Sequence, residues 1–376
     1  MATVAELLVA LDRIAPFRLA ESWDNVGLLL GAPEAACERV LVALEVTPEV
    51  IDEARRRDTH AIVAHHPLLF RPLKSLAETT PQTRMLSALQ RAGIALIAAH
   101  TNWDSVADGT NGEIADRLQL TNRVFLSPAP AQRAFKYAVF VPTTHVAVVI
   151  DAVHAAGAGI IGNYSHCTFR SPGTGTYKPL QGANPFAGKI DNLEQADEVR
   201  LETVCPADRL ASLIDAVKSV HPYEEVAFDV YPLENPSPSQ FGLGLVGDLP
   251  QSIPLRDFAE ICKRAFARDG KQALSTVGMI GEASRPVRRI AICSGGGGSM
   301  VQHAIASKAD AYLTGEMTHH DAADLLQGGL TGILVGHFAS EVIANQRLAD
   351  RIRQQPGLQV VEVIVSTDER GPVTRV

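Results

Sequence analysis

The chain has 376 residues, enough for two or three domains. With 46% hydrophobic and 20% charged residues, and glycine (29) and proline (22) near ordinary use, it cannot be collagen-like, coiled-coil or largely disordered. A net charge of −8 disfavours non-specific binding to DNA or to an anionic membrane, since both require a basic surface.

The five cysteines are odd in number, far apart and contain no CxxC pair. That argues against a disulfide framework or a thiolate zinc site and fits a reducing compartment. The N-terminus, MATVAELLVALDRIAPF, has no basic leader and carries Glu6 and Asp12 among its apolar residues. It reads as an amphipathic helix opened by a Thr3/Glu6 capping box rather than as a signal peptide. No apolar run reaches the ~18 residues needed to span a bilayer. The expectation is a soluble, cytoplasmic protein.

Residues 1–127 alternate short apolar runs with helical stretches. VLVALEV (40–46) reads as a buried strand, and Thr47 and Pro48 open a helix through Arg57 as N-cap and first helical position. The cations Arg55–Arg57 that close it suit the C-terminal dipole and read as a solvated face. AIVAHH (61–66) is a second strand, 81–93 a helix ended by glycine, and IALIAAH (94–100) a third strand. Strands separated by helices in this way predict a largely parallel, helix-covered sheet.

The middle region, 130–235, contains an internal repeat. VPTTHVAVVIDAVHAAG (141–157) aligns with CPADRLASLIDAVKSVH (205–221) at an offset of 64. Each copy is an apolar strand, a proline and an amphipathic helix. With FDVYPL (228–233) as a further strand, this predicts a ferredoxin-like α+β insert. The Pro- and Ser-rich stretch 234–242 reads as its boundary. Residues 240–376 return to α/β: a strand over 288–294, a helix from Ser299, a strand in DAYLTGE, a helix from about His320, a strand in TGILVGH, a helix from about Ser340 and a last strand in LQVVEVIV. The fold class expected is therefore a two-lobed α/β core carrying a ferredoxin-like insert.

Chemistry gathers at strand ends. His65 and His66 close one strand before Pro67, where both rings can turn into one crevice, and open α/β sheets place ligands at such ends. The next strand leads to His100 and Asp104. The segment LVGHFASEVIA supplies His337 and Glu341, whose i, i+4 spacing puts both on one helix face if a helix begins near His337. Imidazoles and carboxylates together suit zinc, iron, manganese or nickel. Five such side chains exceed the three or so of one catalytic zinc, and a pair of divalent ions bridged by a carboxylate uses them more naturally. Such a pair would activate water and stabilise an oxyanion or phosphoryl oxygen.

Further candidates remain two-sided. His100 is either a group supporting the ligands or a core residue. Asp24 and Asn25, in WDNVG, either orient a ligand or cap a turn. Of His319 and His320, the second is the better candidate to line a pocket. SGGGGS (294–299) lies between strand and helix, where amides can cradle phosphate, but it also reads as a tight turn needing several positive-φ residues. No serine or cysteine is paired with a base.

The segments AESWDNVGLLLG (20–31), VAHHPLLF (63–70), AAHTNWDSVADGTN (98–111), DAYLTGEMTHHDAADL (310–325) and GHFASEVI (336–343) resemble the GTP cyclohydrolase 1 type 2 homolog family, also called Ngg-interacting-factor-three-like. The middle region resembles the PII- or CutA-like insert of its longer members, with HPYEEVAFDVYPL (221–233) the most specific stretch. The resemblance implies a dinuclear metal site formed by His65, His66, Asp104, His337 and Glu341, and a toroidal homohexamer. Trp103 departs from the family's usual aliphatic residue, which bears on packing near Asp104 more than on ligation. The expected function is a metal-dependent hydrolase of a nucleotide-like or other small polar substrate. A non-catalytic metal-binding regulatory or trafficking protein is the alternative.

Overall fold

The computed structural model describes residues 2–130, 133–162, 164–234, 240–267 and 273–373. The chain forms two compact units: Met1–Ala129 with Gln240–Val376, and Pro130–Ser239. Most of the 234–242 boundary stretch (235–239) lies outside the described residues.

The larger unit contains two sheets. In the first, the strands Ala95–Ala98, Ala61–Ala64, Arg39–Ala43 and Glu362–Val365 run parallel in that order, and Gly27–Leu30 adds antiparallel at one edge. Alternation decides its two faces. Val40 and Val42 pack on one side with Leu7 and Leu11 of the helix Val4–Ile14, and Leu41 and Ala43 on the other with Val50 and Leu89. Helices therefore cover both faces, which is why these strands read as unbroken apolar runs.

In the second sheet, Thr331–Leu334, Ala311–Glu316 and Pro286–Gly296 are parallel. Gly278–Ile280 joins antiparallel at one edge, and Gly242–Pro254 followed by Thr121–Pro128 joins antiparallel at the other. Each sheet takes a strand from the far end of the chain. The C-terminal strand Glu362–Val365 and the helix Asn345–Arg353 pack in the first core beside Val4 and Leu7. Ile114, Leu118 and Leu120 pack in the second core beside Phe258 and Leu313. The exchange ties the two sheets into one body.

Local chemistry sets the element ends. Thr3 and Glu6 form the capping box, and Thr47 caps a helix with Pro48 in its first turn. Gly93 closes Pro81–Ala92 in the left-handed conformation at φ +68. One boundary differs from expectation. The helix expected from about Ser340 begins at His337, because Gly336 at φ +96 turns the chain directly out of the preceding strand. The arginine face adds surface contacts. Arg55 donates to the Ala88 carbonyl, Arg56 pairs with Asp368, and Arg57 reaches Glu53 and Thr367. The face is solvated as expected, and its cations also make these surface contacts.

The smaller unit is a four-stranded antiparallel sheet in the order Thr168–Tyr177, Glu194–Pro206, Ala134–Pro142, Phe228–Leu233. The helices Val146–Ala155 and Leu210–Val220 pack through Val149, Val153, Leu213 and Val217 into its core. Strand, helix, two strands, helix and strand in this spatial order make a ferredoxin-like sandwich. Both copies of the sequence repeat build the same device: a strand ended by proline (Pro142, Pro206), a 3-10 turn, then the helix.

Candidate metal centre

The carboxyl ends of parallel strands from both sheets meet in one place. After Ala61–Ala64 the ladder continues for two residues, with the His65 amide donating to the Ala43 carbonyl and the His66 amide to that of Leu44. The backbone of the histidine pair is therefore fixed, and the two rings stand 5.2 Å apart, tilted by 43°. His65 is 3% exposed. Its Nδ1 lies 3.0 Å from the Ala99 carbonyl, which can only accept, so the proton sits on Nδ1 and Nε2 offers its lone pair inward.

Glu341 is the hub. It is 4% exposed and lies one helical turn beyond His337. Its Oε2 is 3.0 Å from His66 Nε2 and 3.2 Å from His337 Nε2, while Oε1 faces His65 Nε2 at 3.8 Å. His65 Nε2 is also 3.7 Å from Asp104 Oδ2. The carboxylate thus faces His66 and His337 with one oxygen and His65 with the other. His65 Nε2, 3.7–3.8 Å from both carboxylates, is buried without a hydrogen-bond partner. A buried lone pair left in this way is costly unless something fills the space in front of it. Donor atoms of His65, His66 and His100, and those of His66, His337 and Glu341, fall within 4.8 Å of one another, so either group could hold a metal ion.

Further carboxylates stand behind the imidazoles. His66 Nδ1 lies 3.1 Å from Glu45, and His337 Nδ1 lies 2.9 Å from Glu316. Both turn Nε2 towards the centre. Glu45 and Glu316 sit at strand ends, the same signal that marks the histidines, yet a single glutamate there is too common to single out by sequence. Asp24 bonds two neighbours. It accepts from the Thr101 amide and hydroxyl, capping the helix Thr101–Asp104 from afar, and lies 2.9 Å from His100 Nδ1. Asn25 donates to the Leu69 carbonyl, and Trp23 packs edge-on to His100 and Phe70. Trp103 is 2% exposed in the first core. The structure does not bring His320 to the cluster; it is exposed on the first turn of His319–Gln327, with its ring against His319.

Electrostatics follow from this geometry. Burial pushes His65 down to about 3, so it is neutral. Burial acts on His66 in the same sense, but Glu341 and Glu45 overcome it and raise the ring to about 10. Glu341 raises His337 to about 9. Burial opposes ionisation of Glu341, yet His337 and His66 hold it well below the usual carboxylate range. Burial, then Glu341, lifts Asp104 to about 6.

The glycine run serves proximity more than unusual backbone angles. Of Gly295–Gly298 only Gly295 has a positive φ, at +63, and a Cβ there would lie 2.2 Å from Glu341 Oε1. At Gly297 a Cβ would lie 2.2 Å from Thr314 Oγ1. The Ser294 and Gly295 amides already donate to Asn111 Oδ1 and Ser340 Oγ, so they are committed to holding the floor. A cleft of about 820 Å³ opens over the cluster, lined among others by His66, His100, His337, Glu45, Glu316 and Phe70.

Comparison with known proteins identifies the family. The sequence model for Duf34/NIF3 (NGG1p interacting factor 3) matches residues 2–372. A Bacillus subtilis protein named GTP cyclohydrolase 1 type 2 homolog is 38% identical over 338 residues, 90% of this chain and 89% of that one. A protein of the same name from Halalkalibacterium halodurans is 37% identical over 365 residues, 96% of each chain. The crystal structure of a Bacillus cereus protein related to NIF3 superposes with a TM-score of 0.91 at 36% identity, covering 100% of this chain and 99% of that one. The chain belongs to the Duf34/NIF3 family. Among the described residues no helix is long and apolar enough to cross a membrane.

Proposed function

We propose that this Duf34/NIF3 protein is a metal-dependent hydrolase that holds two divalent ions among His65, His66, Asp104, His337 and Glu341. The observation that carries the reading is the convergence of buried ligand atoms: His65 Nε2 is buried without a hydrogen-bond partner, and Glu341 Oε2 lies 3.0 Å from His66 Nε2 and 3.2 Å from His337 Nε2. Glu341 Oε2 faces His66 and His337 while Oε1 faces His65, itself 3.7 Å from Asp104, which favours a bridging role.

Bound there, two ions supply Lewis acidity that polarises a carbonyl or phosphoryl oxygen and acidifies water. The chain's own residues do the rest. Glu45 and Glu316 hold His66 and His337 through Nδ1. His100, oriented by Asp24 and lining the cleft, is placed to accept or pass a proton at Nε2. Phe70, edge-on to Trp23, forms part of the cleft wall. A small polar substrate of nucleotide size fits a cleft of about 820 Å³, and the names of the relatives make GTP the first compound to test. A homohexamer belongs to the same reading and is checked by light scattering in solution.

The test combines metal content with turnover. Saturated protein should carry close to two ions per chain, and Glu341→Ala should lose most of both. With zinc, manganese or iron(II), hydrolysis of GTP or of a panel of nucleotides and phosphoesters should fall on the order of a thousandfold or more in His337→Ala. Cys293→Ala should retain it, because burial pushes that thiol up to about 12 and leaves it neutral. A second reading, metal trafficking without catalysis, draws on the 37% exposure of the His337 side chain, which leaves an exit for an ion. Ready metal exchange with no turnover across the panel would select it.

A further inference from the structure

The stretch HPYEEVAFD (221–229) has no part in the Glu341 cluster, yet it shapes a second cavity, of about 350 Å³, in the ferredoxin-like unit. That volume is within the range of small-molecule sites. His221 is 8% exposed and tied at both ring nitrogens. Nδ1 accepts the Tyr223 amide at 3.1 Å, and Nε2 donates to the Phe140 carbonyl at 3.0 Å. This histidine fixes the turn that presents Tyr223. The opposite wall is the loop after Thr168–Tyr177, pinned at two points. The Tyr177 hydroxyl donates to the Ala187 carbonyl at 2.8 Å, and the Asn184 amide donates to Glu224 Oε2 at 2.7 Å. Phe186 stands on that loop with its ring 6.0 Å from that of Tyr223. Tyr177, Phe186 and Tyr223 thus line one space.

Its charge is one-sided. Glu198, Glu224 and Glu225 line the cavity, against Lys178, whose ammonium lies 3.8 Å from Asp191. Glu198 is held in place by a missing side chain: a Cβ at Gly175 would lie 2.2 Å from its Oε2. Burial, then the facing Glu198 carboxylate, push the Tyr223 phenol upward, so the ring stays neutral.

We infer that this cavity binds a small organic ammonium ion, with Glu198 as counter-charge and the rings of Tyr223, Phe186 and Tyr177 as its faces. Ring faces carry the negative end of the aromatic quadrupole and attract cations within about 6 Å of the centroid. An anion would meet three carboxylates. A neutral apolar ligand would bury the Glu198 carboxylate with only the Tyr223 hydroxyl to answer its charge. A metal ion would find one carboxylate already committed to Asn184 and three rings with few donor atoms.

The test is calorimetric titration of the full chain with choline as probe, beside its neutral isostere 3,3-dimethylbutan-1-ol. Choline should bind saturably, one per chain, and the isostere should not. Glu198→Gln and Tyr223→Leu should each weaken choline about tenfold, and Tyr223→Phe, which keeps the ring, should bind close to wild type. Glu198→Gln changes no volume, so its weakening is readable even if Tyr223→Leu unsettles the insert. Absence of saturable binding by choline, methylammonium and spermidine at millimolar concentration overturns the proposal. So does equal affinity for the isostere, or choline binding unchanged in Glu198→Gln.

Discussion

His66 and His337 each lie between two carboxylates, and that fixes how the metal-free site titrates. Glu341 with Glu45 raises His66 to about 10, and Glu341 with Glu316 raises His337 to about 9. Both rings are therefore protonated at neutral pH and must lose a proton to ligate. Zinc binding at pH 7.5 should release about two protons per chain, measured by calorimetry in buffers of different ionisation enthalpy. Release near zero would mean that these rings do not ligate. The same shifts set a stability window. A histidine whose folded pKa is raised stabilises the fold fully below its unfolded value near 6.5 and loses that contribution as pH rises through the folded value. Metal-free protein should melt at progressively lower temperature from pH 6.5 to 10, and Glu341→Gln should flatten the slope. Gly295→Ala tests the floor. Its Cβ would displace the Glu341 carboxylate, so metal content should fall towards that of Glu341→Ala while the fold persists. At this scale the cluster was legible because three strand ends each bring a histidine or carboxylate towards the same side of an α/β layer. Glu45, Glu316 and the partners of Arg55–Arg57 were not. A lone glutamate at a strand end and arginines in a last helical turn each already have a sufficient local explanation, so nothing in the sequence asks for a distant partner. His320 shows the converse: its motif sits beside the site in sequence, while the helix it opens points it to solvent.

Among the elements, the segment after the last strand does unexpected structural work. Glu369 is 1% exposed and accepts from the Leu44 amide at 2.6 Å and from Asn345 Nδ2 at 2.8 Å. Glu53 is likewise 1% exposed and accepts from Ser366 and from the Thr367 and Asp368 amides. Burial opposes ionisation of Glu53, but those donors hold its carboxyl below the ordinary value. The segment then reaches the cleft wall at Gly371–Val373. Glu369→Ala would strand a buried amide next to Glu45. It should cost about 2–3 kcal/mol in chemical denaturation, with secondary structure retained. A cost within error of zero would show that water replaces the carboxylate. No periodicity announces such a segment, because most of its contacts are single hydrogen bonds to groups more than three hundred positions away. The helices and strands around it were legible for the opposite reason. Thr47–Pro48, Gly93 and the alternation in 40–43 act within a few residues of themselves.

At the scale of the whole molecule, the interruption of the core by residues 130–239 is locally inexpensive. The strands that flank it pair directly, with Pro128 opposite Gly242 and the Ala129 amide donating to the Phe241 carbonyl at 2.9 Å. The chain could pass from one to the other as a hairpin. The insert has a core of its own around Tyr137, Val149, Leu201, Leu213 and Val217, built from the duplicated half. The duplication was legible because its copies keep one register, prolines included. The exchange of terminal strands between the two larger sheets was not, since a strand's sequence states its burial and not its neighbour. Replacing 130–239 by a short Asn-Gly turn should therefore yield a folded protein of about two-thirds the length, with one cooperative melting transition and metal stoichiometry equal to the full chain. The proposed ligands His65, His66, Asp104, His337 and Glu341 all lie in the larger unit, and none of their hydrogen-bond partners described above comes from the insert. The same deletion should abolish choline binding, since every residue lining the second cavity leaves with it. Metal content and choline binding thus report separately on the two units. A deletion protein that aggregates, or that folds without taking up metal, would show that the insert completes the core or the centre in a way its own packing does not reveal.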